Sequence, residues 1–320
     1  MMNEFTLISA YLKKLIKNNP NALNFDDDVF FEKKRQLVVS IDTYNEKIHF
    51  PNFLNPDFVA KKVLRSSISD LICKGVKPRF YFISGSGNKK SFSQINLKKI
   101  SKSLNQEQKK YNIFLGGGDT VYSDKLSFTI TSIGFSDDII YRNNAKFNDD
   151  IYVTGNLGDS FVGLLVLKKK IKIGKNLKKY FEQKYFQPTL HVDLTKKLKS
   201  FTNTSIDISD GLITDLEKLI NKQKLSFKIY MNLVPISKRL KYLIDSKKIS
   251  KEFCVSKGDD YQILFTADPK NSRIIKKTSK SLGIKISKIG KITSMTHKSQ
   301  IIDKKGNKIA INETGNLHKF

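Results

Sequence analysis

The stretch Gln36-Leu37-Val38-Val39-Ser40-Ile41-Asp42-Thr43 decides the reading of the fold. Its compact β-branched run predicts a strand over 36–41 that delivers the Asp42 carboxylate at its C-terminal end. Residues 58–74 follow, with Val63, Leu64, Ile68, Leu71 and Ile72 at helical spacing, and stop at Gly75, a C-cap residue. Strand then helix is the first unit. Further strands are expected at 80–84, 113–115 and 126–135 and a helix at 91–111, with 113–115 running into the loop Gly116-Gly117-Gly118-Asp119-Thr120. After a polar stretch at 136–150 the theme repeats, with strands at 151–154, 205–208, 227–230, 262–266 and 285–289. Helices are expected there at 157–169, 190–201, 211–221 and 271–282. Mixed strands and helices in both halves predict an α/β (α+β) architecture, with a domain boundary that separates 1–148 from 149–320.

The chain has 320 residues, 39% of them apolar, enough for two packed cores and too many for a disordered chain. Fifty-eight basic against 30 acidic residues give a net charge of +28, which makes nucleic acid or an anionic membrane the first partners to weigh. Only six of the 58 are arginine and the other 52 are lysine. Arginine forks suit base edges and phosphates better than ammonium groups do, and the lysines are scattered rather than gathered. No specific nucleic-acid partner is therefore expected. Two cysteines, Cys73 and Cys254, exclude a disulfide framework and fit a reducing cytoplasm. The N-terminal residues carry Glu4 and a broken apolar pattern rather than a basic segment followed by an apolar one, so no secretory leader is expected. Apolar runs such as 161–167 are far short of the roughly 18 residues of a membrane span.

In so basic a chain the acidic residues are the informative minority. Asp26-Asp27-Asp28, Asp42, Asp70, Asp119, Asp207 with Asp210, and Asp259-Asp260 stand at strand or helix ends beside Gly, Ser or Thr. A single such aspartate is more often a cap or turn former than a metal ligand, but six coincident groups shift that balance. Hard oxygen ligands without a Cys/His cluster select Mg²⁺, and Mg²⁺ held by a few carboxylates is usually shared with substrate phosphates. Phosphoryl transfer is the chemistry this pattern suggests. No Walker motif and no protein-kinase signature is present, so the two commonest ATP-using folds are disfavoured.

Taken in order, Asp27-Asp28-Val29, Ser40-Ile41-Asp42-Thr43 with Glu46-Lys47-Ile48-His49-Phe50, the segment 61–70, Gly117-Gly118-Asp119-Thr120, Ile151-Tyr152-Val153-Thr154-Gly155 with Leu157-Gly158-Asp159, Ile206-Asp207-Ile208-Ser209-Asp210-Gly211-Leu212, and Gly258-Asp259-Asp260-Tyr261 closely resemble the thiamine-monophosphate kinase family. The resemblance covers nearly the whole chain. It implies the two-domain fold shared with aminoimidazole ribonucleotide synthetase: an N-terminal sheet that completes a barrel across a homodimer, and a C-terminal α/β domain. It further implies ATP-dependent phosphorylation of thiamine monophosphate to thiamine diphosphate, assisted by several Mg²⁺ ions.

Residue by residue, the resemblance implies metal ligands at Asp27, Asp28, Ser40, Asp42, Asp70, Asp119, Asp207 and Asp210, with Ile41 contributing its backbone carbonyl. It implies ATP contacts at Gly118, Asp119, Arg142 and Ser209 and substrate contacts at His49 and Asp259. Without it, Arg142 reads as a surface residue of a polar loop and His49 as a structural histidine. The triple aspartate leaves the metal pair as Asp26-Asp27 or Asp27-Asp28; Val29 and Phe30 favour the second. Departures from the family pattern are Lys47 and Lys257 where glycines are usual, Ser67 for an asparagine, Ser101 for a nucleotide-packing aromatic, and a 315–320 ending that only loosely matches the family's aromatic motif. A selenophosphate synthetase would need a reactive cysteine and a lysine in a glycine-rich N-terminal segment, and neither is present.

Overall fold

Alternation along Leu37–Asn45 builds the first sheet: Val38, Ser40 and Tyr44 are buried on one face while Ile41 and Thr43 stand exposed on the other. The computed structural model describes residues 4–17, 19–296 and 298–310. Among them run strands β1 (Phe30–Glu32), β2 (Leu37–Asn45), β3 (Pro78–Gly87), β4 (Phe114–Tyr122), β5 (Ser127–Phe135), β6 (Asp150–Thr154), β7 (Thr204–Asp207), β8 (Leu225–Tyr230), β9 (Ile263–Ala267), β10 (Ile286–Ser294) and β11 (Gln300–Ile302). The helices are α1 (Glu4–Leu7), α2 (Pro56–Cys73), α3 (Gln94–Tyr111), α4 (Asp159–Leu167), α5 (Lys175–Phe186), α6 (Thr195–Leu198), α7 (Leu212–Leu219), α8 (Lys238–Asp245), α9 (Lys251–Val255) and α10 (Ser272–Leu282).

The first sheet has the order β1-β2-β5-β3-β4, antiparallel except for the parallel β3/β4 pair. The second has the order β11-β8-β10-β6-β9-β7, antiparallel except for β11/β8. The mixed α/β character expected from the sequence is thus present in both halves. Among the described residues no helix is long and apolar enough to cross a membrane.

Helix α2 lies between the halves. It opens with Pro56 at its first turn and ends before Gly75, whose φ of +73° closes the helix as the sequence predicts. Nearly every side chain on it is buried, including Lys62, Arg65, Ser66, Ser67 and Ser69. One apolar cluster joins Val63, Leu64, Ile68 and Ile72 of this helix to Tyr152, Tyr185, Phe201 and Phe265 of the second half.

Three local expectations differ from the structure. The loop expected at Gly116-Gly117-Gly118-Asp119-Thr120 is the middle of β4, paired in parallel with β3. The strands meet so closely there that a Cβ on Gly118 would lie 1.9 Å from the carbonyl oxygen of Ile83, beside a shift in register. The helix expected at 190–201 reduces to a 3-10 turn, Val192–Leu194, and the single turn α6. Helices α5 and α8 were not expected, because lysines mask their short apolar stripes: Phe181, Tyr185 and Phe186 in one, Leu240 and Leu243 in the other.

Arg65 shows how the two halves are tied. Its guanidinium donates to both carboxylate oxygens of Glu107 on α3, at 2.7 and 2.9 Å, and to the carbonyl of Pro188 at 3.0 Å, with both side chains at most 5% exposed. A buried charge left without its partner costs about 3–5 kcal/mol. Glu107→Gln is expected to lower the unfolding free energy by about 3 kcal/mol in a urea titration, and Arg65→Met combined with Glu107→Leu to recover much of that loss.

Candidate active site

Three elements bring aspartates to the buried flank of α2. Asp42 stands on the α2 side of β2, Asp70 on α2 itself, and Asp207 at the end of β7. Serines stitch them together: Ser40 donates to Asp70 at 2.5 Å and Ser69 to Asp207 at 2.6 Å. The i, i+4 spacing of a helix puts Ser69 and Cys73 on one stripe and Asp70 and Lys74 on the next, so α2 presents hydroxyl, carboxylate and ammonium groups in adjacent rows. Burial, then the charge of Asp207, pushes the Asp42 carboxyl up to about 7, with hydroxyls of Ser67 and Tyr44 pulling back. Asp70 is raised well above the usual range by burial and by Asp42 and Asp207, and Asp207 is raised chiefly by burial. The three thus resist ionising together, a state that a cation relieves.

Asp27 and Asp28 approach the same region but are held by cations of the chain. Lys74 lies 2.7 Å from Asp27 and 3.4 Å from Asp28. Arg142 grips Asp28 with two guanidinium nitrogens, and its backbone N–H donates to Asp27 at 2.9 Å. Asp26, the other candidate in the triplet, instead faces Lys13 and Lys222. A cleft of about 490 Å³ opens beside this group, lined by Asp26, Asp27, Asp28, Arg142, Lys218 and Lys222 together with residues of the N-terminal segment. Asp210 borders it through an ion pair with Lys218, and its backbone N–H donates to Asp215. Among the described residues no three Asp, Glu, His or Cys side chains converge closely enough to enclose a metal ion. The donors gathered by Asp42, Asp70 and Asp207 are nonetheless all hard oxygens, and their mutual repulsion suits Mg²⁺.

The two loops that carry Ser209 and Asp259 are zipped together. Asp259 and Tyr261 donate their backbone N–H groups to the carbonyls of Ser209 and Ile208, each at 2.8 Å. Gly258 makes this possible, since its φ is +73° and a Cβ there would meet the Ser209 carbonyl oxygen at 2.1 Å. Asp259 is anchored by Lys62 of α2 at 2.5 Å, and the Lys62 ammonium lies 4.0 Å from the Tyr185 ring centre. The Tyr185 hydroxyl donates to the carbonyl of His49 at 2.8 Å, so the two expected substrate residues meet through Lys62 and Tyr185. The His49 ring itself accepts the backbone N–H of Asn45 at Nδ1, at 2.9 Å, and packs edge-on against Tyr44.

Gly118 and Asp119 are not brought to this group. The register aligns Asp119 with Ser84, Thr129 and Thr43, the row facing away from α2, roughly 14 Å from β2 across three inter-strand spacings. Ile41 points its side chain to that same open face, 67% exposed. The 315–320 ending lies outside the described residues. Lys62, Lys74, Tyr185 and Lys218 escaped the sequence reading. For the first two a signal existed, since a lysine one residue from the apolar positions of a buried helix is an anomaly.

The model for the AIR synthase related protein, N-terminal domain, matches residues 25–136. The chain is 36% identical over 302 residues to a thiamine-monophosphate kinase of Buchnera aphidicola subsp. Schizaphis graminum, an alignment covering 91% of each chain. The chain belongs to the thiamine-monophosphate kinase family. The Haemophilus influenzae thiamine-monophosphate kinase is 31% identical over 301 residues, 91% of this chain and 89% of that one. A solved structure of AaThiL complexed with AMPPCP and TMP superposes with a TM-score of 0.85 at 24% identity, covering 99% of this chain and 97% of that one, which shows a common fold. The departure at Lys47 acquires a physical sense in this family, because its φ of +70° is one that glycine adopts without strain. Gly258→Ala is expected to lower the unfolding free energy of this thiamine-monophosphate kinase relative by about 2 kcal/mol in a urea titration, by forcing the zipped loops apart.

Proposed function

We propose that this protein transfers the γ-phosphoryl group of ATP to thiamine monophosphate, giving thiamine diphosphate and ADP. The observation that carries the proposal is the gathering of Asp42, Asp70 and Asp207 along the buried flank of α2, from both halves of a chain that matches thiamine-monophosphate kinases over nearly its full length. Asp42, Asp70 and Asp207 would hold Mg²⁺, with Ser40, the Ile41 carbonyl, Asp27, Asp28, Asp119 and Asp210 as the further ligands of this reading. Bound Mg²⁺ supplies charge neutralisation to the transferring phosphoryl group.

The chain's own residues do the rest. Arg142, steered by Asp27 and Asp28, faces the cleft with Lys218 and offers a fork-shaped donor to the polyphosphate. Ser209 is a further proposed ATP contact; Gly118 and Asp119, the remaining ones, stand on β4, with Asp119 in the sheet row turned away from α2. His49 and Asp259, joined through Tyr185 and Lys62, flank the proposed thiamine position. The acceptor is already a phosphate oxygen, so alignment and charge suffice and no side chain is needed as a strong base.

The reading includes a homodimer, a cytoplasmic location, a division into domains 1–148 and 149–320, and no specific nucleic-acid partner. Support for the dimer comes from the sheet face turned away from α2. Ile41 and Phe82 flank Thr131 in one row of it and stand 67% and 39% exposed, with Phe135 exposed at its edge. A contiguous apolar face of this kind is ordinarily covered, and the row that carries Asp119 belongs to it. Phe82→Glu is expected to convert a species near twice 36.6 kDa into the monomer in light scattering. For the activity, purified protein with ATP and Mg²⁺ is expected to convert thiamine monophosphate to thiamine diphosphate, read by chromatography. Asp42→Asn should lower kcat by at least about 100-fold with an unchanged circular dichroism spectrum. No product from the wild-type protein, or full activity in Asp42→Asn, rejects the proposal.

A further inference from the structure

Lys74 caps α2 at its C-terminal end, and its side chain is 0% exposed. Its ammonium lies 2.7 Å from Asp27 Oδ1 and 3.4 Å from Asp28 Oδ2, and donates to the carbonyl of Ser205 at 3.0 Å. These partners account for its three N–H directions. Asp70 stands one helical turn back on α2 and Asp207 two residues beyond Ser205, and both feel its charge. An ammonium group buried among apolar atoms gives up its charge, but one ringed by carboxylates keeps it. Burial is the largest single effect on Lys74 and works against its charge; the attraction of Asp27 and Asp70 and the hydrogen bond to Asp27 act together against it, and the net effect is a raised pKa.

Two of the aspartates proposed as Mg²⁺ ligands, Asp27 and Asp28, therefore already hold a fixed cation, and two more, Asp70 and Asp207, feel its charge. Their engagement by Lys74 and Arg142 fits the finding that no three acidic groups among the described residues converge on a common point. A lysine at this place is no incidental surface charge, since no solvent reaches it.

We propose that the Lys74 ammonium is a built-in cation of the site, standing at the Asp27 and Asp28 end of the aspartate set where a divalent ion would otherwise be held. Mg²⁺ is then confined to the end formed by Asp42, Asp70 and Asp207, and Asp27 and Asp28, counted above among the proposed Mg²⁺ ligands, hold the ammonium in its place. The inference rests on reading the aspartates as a Mg²⁺ site. An ammonium brings one positive charge rather than two, needs no dehydration at each catalytic cycle, and keeps Asp27 and Asp28 ordered before nucleotide arrives.

The test is a count of Mn²⁺ bound per chain, by equilibrium dialysis with the ATP analogue AMPPCP, for the wild-type protein, Lys74→Met and Asp27→Asn. Lys74→Met should bind one more Mn²⁺ than the wild-type protein, and its melting temperature should rise with Mn²⁺ more steeply than that of the wild type. Asp27→Asn should keep the wild-type count. A folded Lys74→Met with an unchanged count, or an Asp27→Asn that loses an ion, overturns the inference. Should Lys74→Met fail to fold even with Mn²⁺, the Asp27→Asn count decides alone. A wild-type protein that binds no Mn²⁺ overturns the metal reading and the inference with it. Bound Mn²⁺ indifferent to both substitutions at Lys74 and Asp27 supports the metal reading while the unchanged Lys74→Met count rejects the inference.

Discussion

Helix α2 is buried almost all round yet carries lysine, arginine, serine and aspartate side chains, and the rest of the molecule is arranged to satisfy them. Desolvating charges of this kind costs several kcal/mol each unless partners are in place. Every partner comes from a different element: Glu107 from α3, Asp259 from the loop before β9, Ser40 from β2, Asp27 from the segment before β1, and Asp207 from β7. The helix thus forces both halves of the chain to close on it. The same closure concentrates carboxylates where solvent is scarce, which is the electrostatic setting phosphoryl transfer requires.

Charge is unevenly balanced around this helix. At the Asp27 and Asp28 end, Lys74 and Arg142 neutralise the acids. At the Asp42, Asp70 and Asp207 end the carboxyls push one another's pKa upward. A dication is therefore drawn to the second end by an imbalance that the first end does not have. The Asp259 end repeats the first pattern in another form, with the buried Lys62 ammonium beneath the aspartate and an aromatic ring against the ammonium.

Much of this could be read from the sequence, for physical reasons. The strand that carries Asp42 and the helix that ends before Gly75 obey period and cap rules, so both are legible, although β2 runs on to Asn45 and Asp42 lies within it rather than at its end. The acidic residues stood out because the chain is so rich in lysine, and their motif order carried the family. What stayed hidden is long-range. The pairing of Lys62 with Asp259 spans 197 positions, and no local pattern announces it. Lys74 looked like one of 52 lysines because a helix end usually faces solvent. The Gly116-Gly117-Gly118 run was read as a loop because glycine normally breaks strands, whereas here it lets β4 press against the backbone of β3. Helices α5 and α8 were missed for the opposite reason, since their polar faces outnumber their buried ones.

The central claim is that the aspartates gathered on α2 form a metal-assisted phosphoryl-transfer centre and not a merely structural network. Anomalous diffraction from crystals grown with Mn²⁺ and AMPPCP tests it most directly. The account predicts a Mn²⁺ peak within about 2.5 Å of carboxylate oxygens of Asp42, Asp70 or Asp207 and in contact with the nucleotide phosphates. Nucleotide bound elsewhere, with those three carboxylates still holding only their serine partners, would contradict it.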